Sequence, residues 1–182
     1  MSSSPTVLIT GAAGYIGSHS LVLLLNAGYN IVALDNCSNA VKLEHDSYPE
    51  SLRRVERITG RQIAGFYNAD LNDGDALSRI FCEHSIQAVM HFASLKAVGE
   101  SSKIPLSYYR NNVSGTLNLL EIMSKNNCKR LIFSSSATVY GTPEYLPIDE
   151  KHSTGKGCTN PYGRTKYFLE EIIKDLCASD PE

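Results

Sequence analysis

A chain of 182 residues, 42% of them hydrophobic, is long enough to bury one sizeable core. Its formal net charge of -2 leaves no basic surplus for nucleic acid, and the densest basic spot, Arg53 next to Arg54, reads as a solvated helix face. No stretch of ~18 apolar residues offers a membrane span, and the opening Met1-Ser2-Ser3-Ser4-Pro5 has neither the basic flank nor the apolar core of a signal peptide.

The chain alternates short apolar runs with helix-length stretches. Residues 6–10 form an apolar run of strand length. Residues 16–27 read as a helix with Leu21, Leu24 and Leu25 on its apolar face, stopped by Gly28. Residues 31–34 predict a second strand, and 36–49 a long polar loop of the kind kept for function or mobility. Further strands are expected over 63–67, 88–92 and 130–133, and helices over 50–59, 74–84, 106–126 and 160–177. Such alternation implies parallel strands joined by crossover helices, and continuous apolar strands imply a sheet covered on both faces. The expected fold is α/β, a doubly wound parallel sheet of Rossmann-like type, forming one domain over residues 1–182. The sequence stops at Pro181-Glu182, just after the last helix, with no length left for a second domain. Cys37, Cys82, Cys128, Cys158 and Cys177 are odd in number and widely spaced, without a Cys-x-x-Cys pair. They suggest neither a zinc site nor a disulfide framework, and free thiols in a reducing cytoplasm are expected.

The first strand leads into Gly11-Ala12-Ala13-Gly14-Tyr15-Ile16-Gly17, a G-x-x-G-x-x-G spacing that opens the first helix. A tight turn off the strand, close approach of backbone to a pyrophosphate and close helix–strand packing each call for glycine. The helix that follows aims free N–H groups and its positive dipole end at phosphate. Asp35 closes the second strand, where a ribose-binding acid is expected, and no arginine follows it closely to accept a 2′-phosphate. The expected cofactor is therefore NAD rather than NADP. Asp70, in Asp70-Leu71-Asn72-Asp73-Gly74, reads equally as an acceptor for adenine or as a turn aspartate entering a helix.

Asn160-Pro161-Tyr162 opens the last helix, with Asn as cap and Pro in the first turn. Tyr162 and Lys166 are four apart and share a face. An adjacent ammonium favours the phenolate, so Tyr162 suits a base that takes a proton from a sugar hydroxyl as hydride leaves the same carbon. Ser134-Ser135-Ser136-Ala137-Thr138 follows a strand at its carboxyl end, the edge where open α/β sheets bind ligands. Ser136 is placed to bridge substrate and Tyr162, with Thr138 as an auxiliary donor or acceptor. Taken singly, Phe92 reads as core, His91 as a satisfied strand histidine and Lys96 as surface. No second histidine stands at metal spacing, and no metal site is expected.

Together these residues resemble the extended short-chain dehydrogenase/reductases. Four longer runs resemble the UDP-galactose (UDP-glucose) 4-epimerases among them: TGAAGYIGSH at 10–19, HFASLKAVGES at 91–101, FSSSATVYG at 133–141 and CTNPYG at 158–163. The likeness runs from about residue 5 to 177, and 91–101 is its most specific part. The resemblance implies an isomerase of galactose and carbohydrate metabolism, cytoplasmic, acting on a UDP-sugar, as a possible homodimer through the helices at 106–126 and 160–177. It implies tightly bound NAD, with Tyr162 as base, Ser136 as its partner and Lys166 holding the nicotinamide ribose. Cofactor contacts implied are Gly11, Gly14, Tyr15, Ile16, Gly17, Asp35, Asn36, Cys37, Ser38, Asn39, Asp70, Leu71, Phe92, Ala93, Lys96, Asn112, Tyr162 and Lys166. The sugar would meet Lys96, Ser136, Ala137, Thr138 and Tyr162, with Asn112 nearby.

Three features depart from the family's pattern. Lys156 is an extra loop residue, and Ala12 and Ser94 stand where glycines are expected. The family's C-terminal substrate domain is absent from this chain. Two other readings stand beside the epimerase. A nucleotide-sugar 4,6-dehydratase needs an acid and a base after the serine strand, where this chain has Ala137-Thr138. An NAD-binding module without catalysis fits the length better than it fits Tyr162, Lys166 and Ser136.

Overall fold

Five apolar runs pair side by side. They are β1 (Thr6–Thr10), β2 (Asn30–Leu34), β3 (Gly65–Tyr67), β4 (Ile86–His91) and β5 (Leu131–Phe133), in a parallel sheet of order β3-β2-β1-β4-β5. The helices are α1 (Tyr15–Asn26), α2 (Glu50–Thr59), α3 (Gly74–Glu83), α4 (Val98–Ser101), α5 (Pro105–Tyr108), α6 (Gly115–Lys125) and α7 (Pro161–Ser179). A π-helical segment, Tyr109–Ser114, joins α5 to α6, and a 3-10 turn, Ala137–Tyr140, follows β5. The computed structural model describes residues 4–41 and 47–180. The middle of the polar loop at 36–49, residues 42–46, and both chain ends lie outside them. The chain divides into two units, Met1–Ala93 with Asn118–Ser134, and Ser94–Leu117 with Ser135–Glu182.

The first unit holds the whole sheet. β1 sits at its centre in register with β2 (Thr6 to Asn30, Thr10 to Leu34) and with β4 (Thr10 to His91). Val7 and Ile9 point to one face and pack with Ile31 and Ala33, with Leu21 and Leu25 of α1, and with Leu52 and Val55 of α2. Leu8, Val32 and Leu34 have the opposite parity and are also buried, so both faces of the sheet are covered. The expected doubly wound α/β sheet is thus present. α1 ends in a left-handed Gly28 (φ 87°), with Gly28 N–H on Leu25 O and Tyr29 N–H on Leu24 O, the paired bonds of a Schellman stop. α3 begins at Asp73, whose carboxylate accepts Ala76 N–H at 2.9 Å.

The helix expected over 106–126 is not one regular helix. Pro105 starts α5, the backbone widens to π geometry over Tyr109–Ser114, and α6 resumes at Gly115. The Thr116 hydroxyl donates to the carbonyl of Asn112 at 2.6 Å inside this widened turn, a bond that apolar periodicity does not encode. α4 is a four-residue turn that periodicity also leaves unmarked. In the second unit α7 packs on α4, α5, the π segment and the 3-10 turn. All five cysteines are free thiols. Among the described residues, no helix is long and apolar enough to cross a membrane.

Candidate active site

In the first unit the turn after β1 is shaped by what a side chain would strike. Gly11 has φ 68°, and a Cβ there would lie 2.6 Å from the backbone nitrogen of Ala93. A Cβ on Gly17 would lie 2.2 Å from the Gly11 carbonyl, so α1 sits as close to the turn as backbone allows. Gly14 caps α1 without any side-chain bond, and its carbonyl takes the Ser18 N–H at 2.9 Å. The N–H groups of the first turn therefore point outward at a glycine-lined mouth, the arrangement that binds a pyrophosphate. Tyr15 and Ile16, large and apolar, are exposed there at 76% and 52%.

Asp35 ties the end of β2 to this turn. Its Oδ2 accepts Ala13 N–H at 2.9 Å and its Oδ1 accepts Cys37 N–H at 2.8 Å. Each oxygen keeps a further lone pair, the capacity a ribose diol requires. Cys37 is buried at φ 57°, and Asn36, Ser38 and Asn39 beside it are exposed. Asn36 donates to Asp70 Oδ2 at 2.8 Å, while Asn72 donates to Asp70 Oδ1 from its backbone and from its side chain. Burial opposes ionisation of Asp70, yet these hydrogen bonds hold its carboxyl below the ordinary value. Asp70 is thus a turn aspartate that also braces Asn36, and the helix cap is Asp73. Leu71 is buried, with its carbonyl on Asn118 Nδ2. Phe92 packs against the core, and Ala93 N–H donates to the Thr10 hydroxyl at 3.3 Å. His91 is buried with Nδ1 2.6 Å from that hydroxyl, a satisfied strand histidine.

In the second unit Asn160 caps α7, its Oδ1 taking Gly163 N–H at 2.8 Å, and Pro161 fills the first turn. That turn carries Tyr162, half-buried, and packs on the 3-10 turn so closely that a Cβ on Gly163 would stand 3.0 Å from Thr138 O. Ser136 Oγ accepts Thr138 N–H at 3.2 Å and the Thr138 hydroxyl at 2.9 Å, which leaves its own proton free to donate onward. Ala137 is exposed beside them. Ser135 donates to Glu170, a second tie between this turn and α7. Lys166, one turn beyond Tyr162, is buried, and loss of solvation pulls its ammonium down from 10.5 to about 8.

Lys96 is exposed, and Ser94 donates to the Leu95 carbonyl. Asn112 is buried, and its amide is fully used. Nδ2 donates to Leu95 O and Thr165 Oγ1, and Oδ1 accepts from Leu95 N–H and Asn111 Nδ2. With four bonds made inside the protein, it braces other groups rather than offering a polar atom outward. Sequence reasoning missed Tyr108, Ser135, Thr165 and Glu170. The signals available were the i, i+4 spacing of Tyr108 with Asn112 and of Lys166 with Glu170.

The model of the NAD dependent epimerase/dehydratase family matches residues 7–180. The UDP-glucose 4-epimerase of Mus musculus is 59% identical over 174 residues, 96% of this chain and 49% of that protein. The Drosophila melanogaster UDP-glucose 4-epimerase is 56% identical over 176 residues, 97% of this chain and 49% of that one. The crystal structure of UDP-glucose 4-epimerase from Bifidobacterium longum in complex with NAD+ and UDP matches with a TM-score of 0.88 at 48% identity, covering 97% of this chain and 50% of that one. The chain spans about half the length of the curated relatives it matches. Because the match takes in both the glycine-rich turn and the helix bearing Tyr162 and Lys166, the chain belongs to the NAD dependent epimerase/dehydratase family.

Proposed function

We propose that this chain is the NAD-binding and catalytic portion of a UDP-glucose 4-epimerase, working as one domain over residues 1–182. The observation that carries the reading is the packing of the Ser136–Thr138 turn beneath the first turn of α7, with Lys166 buried one turn further along. NAD fits the first unit's residues. The turn has no room for a Cβ at Gly11 or Gly17, α1 opens without a side-chain cap, and Asp35 keeps lone pairs for a ribose. Gly14, Tyr15, Ile16, Asn36, Cys37, Ser38, Asn39, Asp70, Leu71, Phe92, Ala93 and Lys96 complete the proposed contacts, with Asn112 bracing the Lys96 segment. Bound there, NAD supplies the acceptor and later the donor of a hydride.

The chain's own residues move the proton. Tyr162 accepts it from the sugar 4-hydroxyl, with Ser136 bridging that hydroxyl and the phenol. Lys166, still largely protonated at pH 7, holds the nicotinamide ribose. In the return direction Tyr162 would give the proton back to the sugar's C4 oxygen. Lys96, Ala137 and Thr138 line the sugar side. Dehydration is disfavoured because Ala137 and Thr138 do not titrate where an acid–base pair is required. The same reading places the protein in cytoplasmic galactose metabolism, as a homodimer.

Titration of the chain with NAD, alongside a UDP-galactose turnover assay on wild type and Tyr162→Phe, tests the proposal. Y162F keeps its NAD affinity, and the turnover measured for the wild-type chain falls about 10²–10⁴-fold in it. Equal turnover in Y162F sinks the mechanism. NAD binding without turnover by the wild-type chain identifies a binding module instead.

A further inference from the structure

Lys96 is an exposed residue whose backbone is gripped on both sides. Leu95 before it donates its N–H to Asn112 Oδ1 at 2.8 Å and takes Asn112 Nδ2 on its carbonyl at 3.0 Å. Ala97 after it donates its N–H to the Tyr108 hydroxyl at 3.0 Å, and that hydroxyl lies 2.9 Å from the Ala97 carbonyl. Asn112 and Tyr108 are 1% and 0% exposed and stand four apart in one helical run, so they reach the segment from roughly one face. The Tyr108 hydroxyl also donates to Glu100 Oε2 at 2.6 Å. Burial first, then that bond, push the phenol up to about 12, so it stays protonated.

A lysine that merely solvates a surface gains nothing from a backbone fixed by two buried polar side chains. A cation that must meet a ligand in one geometry does gain, because the ordering is complete before binding. We propose that Tyr108 is a positioning residue, its hydroxyl holding Ala97 opposite the Asn112 grip on Leu95 so that Lys96 meets the bound dinucleotide already aligned. This inference rests on the reading of Lys96 as a cofactor contact and deepens it.

A double-mutant cycle on NAD affinity, measured calorimetrically on this chain, separates the two claims. Tyr108→Phe removes one oxygen and raises Kd about tenfold, Lys96→Ala raises it by about as much, and the double variant stays within about twofold of K96A. Independent, multiplying effects overturn the proposal, because a general loss of structure adds to the loss of Lys96. Wild-type affinity in Y108F beside weak binding in K96A overturns it while leaving the Lys96 reading intact. Wild-type affinity in K96A removes both. Should Y108F fail to fold by circular dichroism, Glu100→Gln replaces it, with a smaller loss that vanishes in the K96A background.

Discussion

Lys166 is the residue whose burial works most plainly against stability. Its pKa of about 8 lies below the ordinary 10.5, so between those values the unfolded chain holds more protons than the folded one. Stability therefore rises with pH from about 8 to about 10.5, and below pH 8 the full penalty, about 3 kcal/mol, is present. Lys166→Met is expected to raise the unfolding free energy at pH 7 by about 1–3 kcal/mol while weakening NAD binding, with the gain fading as pH rises from about 8 to about 10.5. Denaturant melts at pH 7 and pH 10 check both halves; a variant less stable than wild type at pH 7 contradicts the account. A fold that tolerates such a cost at a position one turn from Tyr162 uses the lysine for something other than stability.

At the scale of elements, α7 depends on how it starts. Asn160 is 5% exposed and its side chain satisfies Gly163 N–H, which has no other place to go inside the packed first turn. Asn160→Ala is expected to cost about 1–2 kcal/mol, read as a lowered denaturation midpoint at unchanged m-value. Asn160→Asp, which keeps the acceptor, recovers most of that. The start of this helix was legible in the sequence because a cap, a proline and an i, i+4 pair are local signals. The turn at Gly11–Gly17 was legible for a similar reason, since the positive φ of Gly11 and the approach of Gly17 to the Gly11 carbonyl are local demands, although the clash of a Gly11 side chain with Ala93 is not. The breaks were not legible. Nothing in the apolar spacing of 106–126 announces that Thr116 donates to the Asn112 carbonyl or that the helix widens at Tyr109. Likewise Asn112 looked like a contact offered outward, because its partners, Leu95 and Thr165, lie far away in sequence. Asp70 was left between two roles, and its bonds to Asn36 and Asn72 show why a short-range reading could not choose.

For the whole molecule, the order β3-β2-β1-β4-β5 places the mouths of β1 and β4 at the point where the chain's winding reverses, the crevice where such sheets bind ligands. The doubly wound parallel sheet followed from the alternation of runs, although the strand order was not read from it, the strands' limits moved by a residue or two and the division into two units was not foreseen. If NAD is bound by the folded chain alone, saturation at about 100 times Kd adds ~2.7 kcal/mol of stability, or roughly 5–10 °C in Tm for a chain of this size. Differential scanning fluorimetry with increasing NAD measures it, and a Tm indifferent to NAD argues against the cofactor reading.

The central position of β1 has a consequence during synthesis. β1 is made first, yet it ladders to β4, about eighty residues downstream, as well as to nearby β2. Until the ribosome has released His91, a parallel β1–β2 pair leaves the edge of β1 at Val7, Leu8 and Ile9 without its second ladder. Translation pauses before that point prolong this sticky interval, whereas brisk elongation through β4 closes it.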